Sequence, residues 1–96
     1  MSSHAHQEVK VKIDDETLRG RYANTLLVAH TAEEFVLDFI LTLPPQAVCN
    51  ARVLISPGHL KRVIVALQQN LARYEAAHGV VAVAPDPGPG SIGFTN

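Results

Sequence analysis

Residues 34–43, EFVLDFILTL, are apolar on both sides of an extended chain. Side chains alternate between the two faces of a strand. Phe35, Leu37, Phe39, Leu41 and Leu43 therefore make one wholly apolar face. Val36, Asp38, Ile40 and Thr42 make a second that is still half apolar. A strand of this kind has to be covered on both faces, so it belongs inside a sheet that is itself packed on both sides. The chain has 96 residues, enough for one small domain with a modest core. The second cover must come from a short remainder or from another molecule.

The flanking sequence predicts three more strands. EVKVKID at 8–14 alternates, with Val9, Val11 and Ile13 facing one way and Lys10 and Lys12 the other. That is the pattern of a half-buried strand, and outward lysines suit an edge. ANTLLVAHT at 23–31 is joined to 34–43 through Ala32 and Glu33, a tight hairpin connection. PPQAVC at 44–49 reads as a linker, since prolines break a ladder, and NARVLIS at 50–56 as the fourth strand.

A helix follows. Leu60, Ile64, Leu67, Leu71 and Tyr74 recur at spacings of four and three, a heptad-like seam. Ser56 is placed to cap the helix, Pro57 to open it and Gly79 to end it in a left-handed conformation, with His78 in the last turn. Serine, glycine and histidine at a helix start also occur in phosphate and nucleophile sites. A phosphate cradle uses several glycines to free several N–H groups, and SPGH has one glycine and a proline that removes a donor. Capping accounts for Ser56 and Pro57 without chemistry.

The expected fold is α+β: an antiparallel four-stranded sheet followed by one long C-terminal helix, ββββα. The helix covers one sheet face. Leu26, Val28, Val36, Asp38, Ile40, Arg52 and Leu54 are expected on the other, in a patch larger than soluble monomers usually leave exposed. An oligomer or partner site is therefore expected there. Asp38 and Arg52, charges set within apolar strands, are expected to pair across strands.

Composition excludes several classes. Net charge is −1, so no basic field exists to hold a nucleic-acid backbone. The single cysteine, Cys49, cannot close an intramolecular disulfide and suits a reducing cytoplasm. The opening MSSHAHQ has no apolar run of a signal peptide, and no stretch is apolar over the roughly 20 residues of a membrane span. There is no HExxH, paired CxxC or Walker pattern, and no cofactor is expected. If Met1 is removed, the free amine, the backbone nitrogens and the imidazole of Ser2, Ser3 and His4 can enclose Cu(II) or Ni(II) adventitiously; no physiological metal is expected.

Residues 1–7 read as a polar arm, 8–79 as the folded domain and 80–96 as a flexible tail rich in proline and glycine. Ile92 and Phe94 near the end of that tail form a candidate docking peptide.

Tyr22-Ala23-Asn24, Glu34-Phe35-x-Leu37-Asp38-Phe39, Arg52-Val53, Ser56-Pro57-x-His59 and Tyr74-Glu75 before Gly79 together resemble a small prokaryotic family defined as a domain of unknown function. The resemblance spans about residues 9–79, nearly the whole folded part. It departs at His78, where members often carry an aromatic, which bears on packing at the helix end. The family's resemblance implies no catalytic residues. The order of four strands and a helix is also similar to SecB-type export chaperones. That likeness implies paired sheets and helices in dimers or tetramers and apolar grooves that hold unfolded chains. The chain is shorter, has no second helix and has no strongly acidic surface.

The expected function is a non-enzymatic homo-oligomeric binding or assembly module, chaperone-like or adaptor-like, holding apolar protein segments. The alternative is a small ligand-binding protein or enzyme using the polar groups of His30, Asp38, Arg52 and His59. A tethered adaptor whose tail does the binding is a third class.

Overall fold

Phe35–Leu43 is the central strand of a three-stranded antiparallel sheet, as its two apolar faces require. The computed structural model describes residues 7–87 and residue 93. The elements run α1 (Asp15–Arg19), β1 (Thr25–His30), β2 (Phe35–Leu43), β3 (Gln46–Ile55) and α2 (Pro57–His78), and the sheet order is β1-β2-β3. The β1–β2 turn is built by Thr31. Its N–H donates to the Glu34 carbonyl at 2.9 Å, and its Oγ1 accepts from the N–H groups of Glu33 and Glu34.

Three expectations are corrected. The first is the linker at 44–49. Pro44 and Pro45, joined by a cis peptide bond, form the β2–β3 turn itself, and β3 begins at Gln46. Nothing after Pro45 lacks a backbone donor, so Ala47, Val48 and Cys49 pair with Thr42, Leu41 and Ile40. The second is the fourth strand. Residues 8–13 have no strand partner among the described residues, and Val9, Val11 and Ile13 are exposed. They lead instead into α1, a short helix capped by Asp14, whose Oδ1 accepts from Thr17 N at 2.7 Å. Asp15 and Glu16 in its first turn complement the helix dipole, and Arg21 pairs with Glu16.

The third concerns α2. Its ends follow the cap rules. Ser56 Oγ accepts from His59 N at 3.1 Å, Pro57 opens the helix, and Gly79 N donates to Glu75 O at 2.9 Å. Gly79 has φ 94° and ψ 165°, a positive-φ conformation open to glycine but outside the left-handed helical region. Yet the helix covers no sheet face. It has no buried residue, and only Leu60, Val63 and Glu75 are even half-buried. Ile64, Leu67, Leu71 and Tyr74 remain 46–65% exposed. Periodicity marks the stripe a helix will bury and carries no information about which molecule buries it. Replacing Ser56 with alanine is expected to cost about 0.5–2 kcal/mol of stability, read from denaturant midpoints at constant slope.

The core of the single chain is correspondingly small. Among the described residues Leu37 and Ile40 are the buried apolar side chains, with Asp38 and Thr42 buried beside them. The segment before β1 closes over this spot. Asn24 N donates to Ile40 O at 3.0 Å. The Asn24 amide brackets Thr42, donating to its carbonyl at 2.9 Å and accepting from its N–H at 2.8 Å. Two residues earlier, the Tyr22 carbonyl accepts from Asn50 of β3. The chain thus crosses β2 on its way into β1, over the end of the strand that holds Ile40 and Thr42.

Candidate functional site: a mixed sheet face around Asp38 and Arg52

Strand register decides which side chains share a face. β2 pairs with β1 as Leu26–Phe39, Leu27–Asp38, Val28–Leu37 and Ala29–Val36, and with β3 as Val36–Leu54, Asp38–Arg52 and Ile40–Cys49. One face therefore carries Leu27, Ala29, Val36, Asp38, Ile40, Thr42, Cys49, Arg52 and Leu54. Leu26 and Val28, expected here, lie on the opposite face with Leu37 and Phe39. The parity was set by the turn at Thr31, which the alternation of β1 does not reveal because β1 is apolar at successive positions. A bulge on β3 contributes too. Ala51 and Cys49 oppose consecutive residues of β2, so Asn50 is the extra residue and β3 switches parity there.

Asp38 sits at the centre of the mixed face and is 5% exposed. Arg52 lies directly across from it and closes a two-pronged pair, Nε to Oδ1 at 2.7 Å and Nη2 to Oδ2 at 2.9 Å. The Cys49 thiol points at the same carboxylate, with Sγ 3.9 Å from Oδ1, and donates to the Ala51 carbonyl at 3.6 Å. Toward the turn, the Thr25 and Thr42 hydroxyls hydrogen-bond across strands at 3.0 Å. A shallow groove of about 470 Å³ runs beside the ion pair, lined by Leu27, Val28, Ala29, Val36, Asp38 and Arg52.

The hydrogen bonds from Arg52 hold the Asp38 carboxyl below its ordinary range, against the opposing effect of burial; the charge of Arg52 and the Cys49 thiol act in the same direction as the hydrogen bonds. Asp38 in return holds Arg52 more firmly protonated. A carboxylate depressed in this way stays ionised at neutral pH, where it neither donates a proton nor accepts one readily. Its folded-state value is lower than its unfolded one. Its contribution to stability is therefore complete above the ordinary carboxylate range, around pH 4, and is lost as pH falls through the depressed value. Asp38→Asn is expected to lower stability at pH 7 and to flatten the acid limb below pH 4, measured by denaturant midpoints across pH. Asp14, lowered by its hydrogen bonds from Thr17, contributes to the same limb and remains in the variant.

The other polar residues do not converge on this pair. His30 ends β1 opposite Phe35, on the other sheet face, with the two rings 5.2 Å apart. His59 lies in the first turn of α2, where its backbone N–H serves the Ser56 cap. Among the described residues no group of three His, Cys, Asp or Glu side chains is arranged to hold a metal ion. Ser2, Ser3, His4, Ile92 and Phe94 lie outside the described residues. No described helix is long and apolar enough to cross a membrane. Sequence reasoning missed Cys49 as a neighbour of Asp38, because the bulge that places it there leaves no mark in the alternation. It also missed Asn24 and Asn50, whose side chains fasten the crossing segment. DDETLRG carried the signal for α1: an aspartate cap, an acidic first turn and a closing glycine.

A family model described as "Protein of unknown function (DUF3467)" matches residues 1–83. No curated protein matches the chain, and no solved structure matches it.

Proposed function

The chain belongs to the DUF3467 family, and we propose that it works as a non-enzymatic homo-oligomeric module whose assembled form binds apolar segments of other proteins. The observation that carries this reading is α2, a 22-residue helix with an apolar seam and no buried residue. Helices draw most of their stability in water from burying an apolar face.

Two surfaces supply the contacts. The seam of Leu60, Ile64, Leu67, Leu71 and Tyr74 suits a second copy of itself, giving two-fold helix packing. The sheet face of Leu26, Val28, Phe35, Leu37, Phe39, Leu41 and Val53 is largely apolar, with His30 at one end, and α2 buries no residue against it. The groove beside Asp38 and Arg52 is the narrower, mixed surface. Its charges are already committed to one another, which favours holding a chain over reacting with it. A chaperone-like role of the SecB kind fits an apolar sheet joined to a projecting helix, and so does a protein adaptor. The lone cysteine fits work in a reducing cytoplasm.

If folding requires assembly, stability depends on concentration. Each tenfold rise in protein is expected to add about 1.4 kcal/mol per dimer formed, seen as a thermal midpoint that climbs with concentration. A midpoint constant from low micromolar to millimolar protein contradicts the assembly.

A further inference from the structure

Segment 8–13 belongs to no helix or strand and has no hydrogen-bond partner among the described residues, yet its alternation is that of a strand in a ladder. Val9 and Val11 are 85% and 84% exposed. Among the described residues the sheet ends in two unpaired edges, β1 and β3. We infer that segment 8–13 of one copy adds to the β1 edge of a second copy, making its three-stranded sheet four-stranded by exchange. This inference rests on the assembly proposed above and names the contact that builds it.

The choice between the edges follows from charge and shape. On β3, valines aligned with Val53 would set Lys10 and Lys12 on the face of Arg52, and like charges on neighbouring strands repel. Valines aligned with Leu54 would instead turn both lysines onto the apolar face of Phe35, Leu37 and Val53. β3 is also bulged at Asn50, which breaks a regular edge. β1 has none of these obstacles. It is six residues long, matching 8–13, and its register with β2 runs without a break. Val9, Val11 and Ile13 can align with Leu26, Val28 and His30 on the apolar face, where Leu26 and Val28 are 49% and 53% exposed. Lys10 and Lys12 then flank Leu27 and Ala29 on the mixed face. Their stems lie along apolar surface there and their ammonium groups reach water.

The path of the chain argues for a second copy over the home sheet. The segment preceding β1 crosses β2 and is fastened to Asn50 of β3 through Tyr22. The point from which α1 and segment 8–13 depart, Tyr22, is thus held at β3, two strands away from their own β1. A free β1 and a free N-terminal strand then complete each other between two copies, as strand addition does in peptide recognition.

Cross-linking tests the exchange. Val11 is the middle of the segment's apolar face and Val28 the middle of β1's, so the two adjoin whether the strands run parallel or antiparallel. Val11→Cys and Val28→Cys are made in separate chains, each with Cys49→Ser, and the chains are refolded together and oxidised. The expected product is a disulfide-linked species of twice 10.4 kDa, above the yield of either chain alone. A chain carrying both substitutions that closes a bond only within itself overturns the exchange and returns the strand to its own sheet. Absence of any bond, while the wild-type protein sediments as an oligomer, overturns the exchange and leaves assembly through other surfaces standing. A wild-type monomer removes both. Amide exchange on the unaltered protein gives an independent reading. Residues 9–13 and the outward amides of β1 are expected to be slowed by on the order of a hundredfold or more. Unprotected exchange at 9–13 overturns the inference even if the cysteine variants fail to fold.

Discussion

Replacing Leu67 with glutamate is expected to separate the proposed assembly into single chains, even though Leu67 is 65% exposed in the single chain. The two situations assign this side chain opposite values. On a monomer surface a substitution of this kind shifts stability by about 0.5 kcal/mol or less. In a two-fold helix contact each copy loses the burial of a leucine, about 1.5–3 kcal/mol, and both copies lose it. The dissociation constant then rises by roughly a hundredfold to ten-thousandfold, before the carboxylate's own resistance to desolvation is added. Leu67 is the middle of the seam from Leu60 to Tyr74, where a change is least able to escape to solvent. Sedimentation of the variant over a range of concentrations reads the effect. Unchanged association would place the interface away from α2.

Ile40→Lys is expected to prevent folding altogether, in any state of assembly. Ile40 is 2% exposed, beneath the crossing segment that Asn24 ties to Thr42. Truncating a buried isoleucine costs about 2–5 kcal/mol. A lysine adds an ammonium group whose natural acceptor, Asp38, is already engaged by Arg52. Against a total stability of about 5–15 kcal/mol for a domain, that leaves nothing. Ile40→Val, at about 0.5–1.5 kcal/mol, keeps the fold and serves as the control. Circular dichroism separates them. A folded Ile40→Lys protein with the wild-type melting midpoint would contradict the burial described here.

What the sequence disclosed depended on how local its physical cause is. The ends of α2 were legible because a cap is settled within a few residues: Ser56 and Pro57 at one end and the position of Gly79 at the other, though not its conformation. The Asp38–Arg52 pair was legible because two charges inside apolar strands have few other ways to be satisfied. The faces of β1 were not legible. LLVA is apolar at consecutive positions, so only the turn at Thr31 tells which of Leu26 and Leu27 joins Asp38. Asn50 likewise reveals its bulge only once Tyr22 is beside it. Segment 8–13 shows a different limit. Its alternation states that it wants a ladder, and a pattern in one chain cannot say whether that ladder belongs to the same molecule.

The same limit governs α2, and it explains why an ordinary composition accompanies so small a core. The chain is 47% hydrophobic, a normal share for a globular protein. Only Leu37 and Ile40 among the described apolar residues are buried. The seam, the apolar sheet face and the β1 edge are the surfaces the proposed assembly would have to cover.

The mass of the wild-type protein in solution tests this most directly. Sedimentation equilibrium at micromolar concentration is predicted to give a dimer or a higher multiple of 10.4 kDa. A folded, stable species of 10.4 kDa across the accessible concentrations would contradict it.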